Sequence, residues 1–175
     1  MRWNTTPSNK VELPMTNALT KTTTQKHIAI IRIIAGAPLL MFGIMHLTGA
    51  MPMKPLIEAA GLPMPGITAI VASLAQVFAG IILLFGAFAR VGAAIAIGTM
   101  IGALITHIKI PNDQWPTPSE LDINVMVPGP EPTFMMGLAA GIILTSAYIM
   151  FKGAGPWSVD SKLVSHAPNQ SQDQS

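Results

Sequence analysis

An all-α bundle of four membrane-spanning helices, with cytoplasmic N- and C-termini, is the fold class this sequence predicts. Three observations predict it. Four apolar stretches of about 20 residues occupy 28–47, 67–89, 91–108 and 134–151, and a bilayer core about 30 Å thick needs about 20 helical residues at 1.5 Å rise. The chain is 50% hydrophobic and only 10% charged, whereas a soluble domain carries about 25% charged residues. Arg2, Lys10, Lys21, Lys26, Arg90, Lys152 and Lys162 fall on the side of the two termini, against Lys54 and Lys109 on the other. Basic residues concentrate on the cytoplasmic side of membrane proteins, so both termini are expected there, in an inner cell membrane crossed several times.

Residues 1–27 read as a polar cytoplasmic tail rich in Thr and Asn. No short apolar core with a small-residue cleavage site opens the chain, so the first span is expected to act as its own insertion signal. After that span, Pro52, Pro55, Pro63 and Pro65 punctuate a linker in which residues 56–60 can form one interfacial helical turn ending at Gly61. Spans two and three are separated only by the stretch around Arg90, which predicts an antiparallel hairpin with a tight turn. The segment 109–133 carries Pro111, Pro116, Pro118, Pro128, Pro130 and Pro132, too many for another helix. Its length suits a lid, a partner surface or a solvated spacer. Residues 28–160 form one transmembrane domain, and the polar tail 161–175 is expected to be disordered.

Composition excludes several function classes. The chain has no Cys, so disulfides, thiolate metal sites and cysteine catalysis are ruled out, and redox work needs a bound cofactor or a partner. The net charge of +2 is small and scattered, so no nucleic-acid surface is expected. Small residues recur at helical spacing, Gly36 and Gly43, Gly98 and Gly102, Gly137 and Gly141. The expected role of these pairs is close helix packing in lipid.

Polar groups within spans face the protein interior because facing lipid is costly. Arg32 shares a helical face with Gly36, Gly43 and His46, although its position near the membrane surface would also let it snorkel. Gln76 is the deepest polar residue and needs either an interhelical partner or a ligand. It lies on one stripe with Gly80, Leu83, Ala87 and Arg90. His46 and His107 sit at the outer ends of spans, and two imidazoles without an adjacent carboxylate do not make a metal site. Glu120, Asp122 and Glu131 could add one only if the outer loop folds back, so no metal is expected. Trp115 and Trp157 are placed as interfacial anchors on opposite sides. No catalytic constellation stands out.

Five elements in order resemble the DoxX family of small four-helix membrane proteins, across about 31–160. These are Arg32-Ile33-Ile34-Ala35-Gly36; Phe42-Gly43-Ile44-Met45-His46-Leu47; Ala60-Gly61-Leu62-Pro63-Met64-Pro65; Gln76 through Gly86 followed by Arg90; and Gly153-Ala154-Gly155-Pro156-Trp157-Ser158-Val159-Asp160. The last looks like the family's Gly-Pro-Gly-x-aromatic-Ser-Leu-Asp ending. The family often carries Glu where this chain has Gln76, so a proton-handling carboxylate is not implied here. Glu131 matches an acidic residue often seen before span four. The resemblance implies a quinone-linked role, since some members are subunits of thiosulfate:quinone oxidoreductases.

Two functions follow as expectations. One is an accessory subunit of a membrane oxidoreductase, bound to a protein partner in the lipid bilayer. The other is a quinone-binding component whose interior pocket is lined by Arg32, His46, Gln76 and Arg90. A small-solute carrier fits less well, because the spans are unbroken and no inverted repeat is visible. Gly153, Gly155, Pro156, Trp157 and Asp160 are expected to cap the cytoplasmic end, with Asp160 accepting hydrogen bonds or pairing with Arg90. The orientation is open to test because the chain lacks Cys. An impermeant thiol reagent on intact cells should label Thr117→Cys and spare Ser171→Cys; the opposite pattern overturns the orientation.

Overall fold

The structure, a computed structural model, describes residues 26–110, 132–155 and 157–161. The two tails, most of the 109–133 loop with Trp115, Glu120, Asp122 and Glu131, and Pro156 lie outside the described residues. Five helices run α1 (His27–Leu47), α2 (Lys54–Ala59), α3 (Pro65–Phe85), α4 (Ala89–Lys109) and α5 (Pro132–Lys152). The described residues contain no strand. α1, α3, α4 and α5 are each 21 residues long, about 31 Å at 1.5 Å per residue. All four are apolar enough to cross a bilayer. The chain is a multi-pass membrane protein. The short α2 is the interfacial turn read from the linker, starting two residues earlier than expected.

The side-chain distribution is that of a protein dissolved in lipid. Ile33, Ile34 and Met41 of α1, Ile70, Leu74 and Phe78 of α3, and Leu144 and Phe151 of α5 point outward. The interior is built from smaller groups, with Ala35, Ala79, Ala89, Ala93, Ala96 and Ala139 around Leu39, Leu83, Ile142 and Ile149. Lipid tails are as apolar as Leu, so association rests on close packing and hydrogen bonds. α1 packs chiefly on α3, and α5 on α4.

Of the three expected small-residue pairs, Gly36 and Gly43 pack as expected, against α3, where Gly80 makes a close approach of its own. A Cβ added at Gly80 would lie 2.6 Å from the Leu40 backbone nitrogen, and one at Gly43 would lie 2.8 Å from that of Val77. Gly36 faces the Gly80 carbonyl and Leu83 in the same seam. The other pairs do not pack. Gly98, Gly102, Gly137 and Gly141 meet nothing within 4 Å, and all four are exposed. Spacing identifies a small-residue face but not what lies across from it.

The hairpin between α3 and α4 differs from the apolar pattern. The hydrophobic run continues to Ala89, yet α3 ends at Phe85 because Gly86 takes the left-handed conformation, φ +68°, and its amide bonds the Ile82 carbonyl. Phe88 is also left-handed, at φ +51°, a strained setting for a residue with a side chain. α4 then starts at Ala89, which puts Arg90 in its first turn rather than in the link.

The segment after α5 locks this turn. Gly153 (φ +85°) and Gly155 (φ +80°) redirect the chain. Asp160 then places one carboxylate oxygen 2.7 Å from the Phe88 amide and the other 3.2 Å from the Ala89 amide. The Asp160 amide in turn donates to the Gly86 carbonyl at 3.2 Å. Asp160 therefore caps the N-terminus of α4, where a carboxylate meets free amides and the positive end of the helix dipole. Of the two roles expected for Asp160, accepting hydrogen bonds is the one these contacts display. Arg32, 3% exposed, is bound from the other side. Its guanidinium donates to the carbonyls of Ala154 and Trp157, the latter at 2.8 Å, and to Leu84 at 3.5 Å.

If this cap is structural, a chain ending at Ser161 should keep the thermal stability of the full protein in detergent, and one ending at Lys152 should lose it. Asp160→Ala should cost about 1 kcal/mol, the scale of an N-cap. Equal melting of both truncations would reject the cap.

A candidate membrane-embedded binding chamber

In the half of the bundle remote from Arg32, the two helix pairs separate around a cavity of about 550 Å³. Leu39, Phe42 and His46 face it from α1, Gln76 from α3, Thr99 and Thr106 from α4, and Leu138 and Ile142 from α5. Met53, Leu56 and Ile57 of the α2 region close its end. The geometry follows from the glycines. Gly36, Gly43 and Gly80 draw α1 and α3 together, while nothing comparable brings α4 against α3 at this level.

The lining is mostly apolar, with a few polar groups set into it. Gln76 is 3% exposed, and its Oε1 has no hydrogen-bond partner. A buried amide oxygen normally has one, and leaving it without is costly in apolar surroundings. His46 Nδ1 lies 2.6 Å from the Met51 carbonyl. A carbonyl only accepts, so Nδ1 carries the proton, and Nε2 of the neutral ring remains an acceptor. The ring stacks against Phe42, with centroids 6.4 Å apart. Thr99 and Thr106 return their hydroxyl protons to the carbonyls of Ala96 and Gly102, which leaves their oxygens as acceptors toward the cavity.

The four residues expected to share one pocket are divided. His46 and Gln76 line the chamber. Arg32 is 14 residues before His46 on the same helix, about 21 Å away along the axis, and its fork is committed to carbonyls at the opposite end. Arg90 lies in the first turn of α4, also at that end. Arg32 does face the interior, as the polar stripe required, and the face of α1 that carries Gly36 and Gly43 packs beside Gln76 and Gly80. The separation reflects length: both arginines sit near one membrane surface, and the amide sits near the middle. Among the cap residues, Gly153 and Gly155 are buried, as is Asp160, and Trp157 is 64% exposed. His107 turns to its own helix at Ala103, 2.7 Å away. Among the described residues no three His, Asp or Glu side chains gather.

Sequence reading missed the contributions of α4 and α5. The signal was present: Gly98, Gly102 and Thr106 follow at spacings of four and so share a face. The same spacing equally suits a helix-packing surface.

Among known proteins, the model of the DoxX family matches residues 27–108, from the start of α1 nearly to the end of α4. The ending at 153–160 lies beyond the match. No curated protein and no solved structure matches the chain.

The unpartnered amide leads to a stability expectation. Gln76→Leu should leave thermal unfolding in detergent unchanged or raise the midpoint, because no hydrogen bond to the Oε1 atom is lost. A loss of about 1 kcal/mol, the scale of an interhelical hydrogen bond in a membrane, would show that Gln76 bridges helices instead.

Proposed function

Because the chain belongs to the DoxX family across residues 27–108, we propose that it is an accessory subunit of a membrane oxidoreductase and that it holds a quinone in the chamber beside Gln76. The observation that carries this reading is the buried amide, unpartnered at its oxygen and set in the wall of an otherwise apolar cavity. About 550 Å³ falls within the roughly 300–1,000 Å³ typical of small-molecule sites. A quinone ring is flat and apolar, with two carbonyls that accept hydrogen bonds, and its reduced form has two hydroxyls that donate them. An amide has both donors and an acceptor, so Gln76 can serve either form. His46 Nε2 adds an acceptor, and Phe42, Leu39, Leu138 and Ile142 supply the apolar walls.

Binding rather than self-contained chemistry suits these residues. Gln76 cannot carry a proton where the family often has Glu, and the chain has no Cys to pass electrons. Electrons would reach the quinone from a partner subunit. With cytoplasmic termini in an inner cell membrane, the chamber would lie in the outer leaflet. The test is equilibrium binding of decylubiquinone to the purified protein in nanodiscs. Wild-type protein should bind it, and Gln76→Leu should bind about tenfold more weakly, equivalent to about 1.4 kcal/mol, with an unchanged melting temperature. Absence of binding by the wild type rejects the reading.

A further inference from the structure

The lining residues of the chamber are not equally covered, and the difference locates its mouth. On the α1 side Leu39 is buried, and His46 and Phe42 are partly so. On α5, Ala139 and Ile142 are buried, and Met135 and Leu138 partly covered. The lining residues that are exposed all belong to two neighbouring helices, α3 and α4. They are Ile67 and Val71 of α3, 56% and 59% exposed, and Gly98 and Gly102 of α4. α3 and α4 are joined by the hairpin at Gly86 and are tied there by Asp160. Near that turn they are in close contact, since a Cβ on Gly92 would overlap Ile82. At the far end they leave a seam open. The exposed surface of both helices is apolar, so this seam opens to lipid.

Gly98 and Gly102 therefore have an unusual setting for glycine in a membrane helix. They do not admit a neighbouring backbone, because nothing lies within 4 Å of an added Cβ. They line the cavity and are exposed at the same time. Their lack of side chains keeps the seam wide. The ring site lies behind them, where Gln76 waits without a partner for its oxygen.

We infer that the seam between α3 and α4 seats the hydrocarbon tail of the chamber's ligand, with Gly98 and Gly102 as the residues that make room for it. The inference rests on the quinone reading above and extends it: the ligand is a long-tailed quinone whose ring sits by Gln76 and whose tail leaves sideways into the bilayer. Selection is then for a tailed molecule over its bare ring. Val71 and, farther from the ring, Ile67 form the other lip and contact the tail. The ligand reaches the site from the membrane, with no need to pass the α2 end.

The experiment compares two probes on three proteins in nanodiscs. The probes are decylubiquinone and its tail-less ring, 2,3-dimethoxy-5-methyl-1,4-benzoquinone. The proteins are the wild type, the double variant Gly98→Leu/Gly102→Leu, and Gly137→Leu. The last is a control, since Gly137 also meets open space but does not line the chamber. The double variant should bind decylubiquinone at least tenfold more weakly while its affinity for the bare ring stays within threefold. The control should match the wild type for both probes. Melting temperatures report folding, and the single variants Gly98→Ala and Gly102→Ala give a graded, smaller effect if the double variant folds poorly. Equal loss of both probes would place the glycines at the ring itself and overturn the tail seat. No change in either probe would send the tail out elsewhere and also overturn it. A wild type that binds both probes with equal strength refutes selection by the tail. A wild type that binds neither rejects the quinone reading from which this inference starts.

Discussion

The buried guanidinium of Arg32 is the constraint on which the rest of this structure depends. A charge inside a membrane protein must be surrounded by partners, and here the partners are backbone carbonyls at Leu84, Ala154 and Trp157. Leu84 belongs to the last turn of α3, and Ala154 and Trp157 follow α5. Carbonyls at helix C-termini have no intrahelical donor and carry the negative end of the helix dipole. One fork of donors therefore neutralises the ends of two helices and fixes both to the start of a third. Gly86 sits so close that a Cβ there would fall 2.5 Å from the guanidinium nitrogen. This glycine is needed both for its backbone conformation and for the approach of Arg32.

Asp160 completes the same end. Its carboxylate holds the amides of Phe88 and Ala89, and its own amide holds Gly86. The strained left-handed Phe88 is thereby kept in place by the hydrogen bond its amide donates to a residue more than seventy positions away. One end of the bundle is thus closed by polar bonds. At the other end the packing of the described helices is one-sided. The glycine seam brings α1 and α3 into backbone contact, and α4 and α5 form the opposite wall. The chamber is the space between these two pairs. A closed end with the charges and an open end with the amide explain why the polar residues of one interior stripe do not form one site.

Much of the fold was legible in the sequence. Hydropathy alone located four helices long and apolar enough to cross a bilayer, and small residues at helical spacing on α1 identified its packing face. The turn at Gly86 was only partly legible. A hydrophobic run does not stop where a membrane hairpin turns, because Ala87, Phe88 and Ala89 are as apolar as the helices they join. The cap was legible as a motif, Gly153 to Asp160, but not its partners, which lie far away in the chain. The candidate site was half legible. His46 and Gln76 stood out as polar groups in apolar spans, whereas Arg32 and Arg90 were grouped with them by face alone.

The sequence by itself determined the class of protein, the number and limits of its long helices to within a few residues, and which faces carry small or polar groups. These follow from one-dimensional quantities: apolar length, helical spacing and the cost of polar groups in lipid. Only the tertiary structure decided what each face meets. Gly80 and Gly98 are both glycines on membrane helices, yet one touches the backbone of Leu40 and the other borders a cavity. Gln76 gained its place in a cavity wall from helices α4 and α5, which no spacing on α3 could reveal. The physical reason is that contact and void are properties of pairs of helices. Their approach is set by long-range bonds such as those of Arg32 and Asp160, which join residues that are remote in the chain.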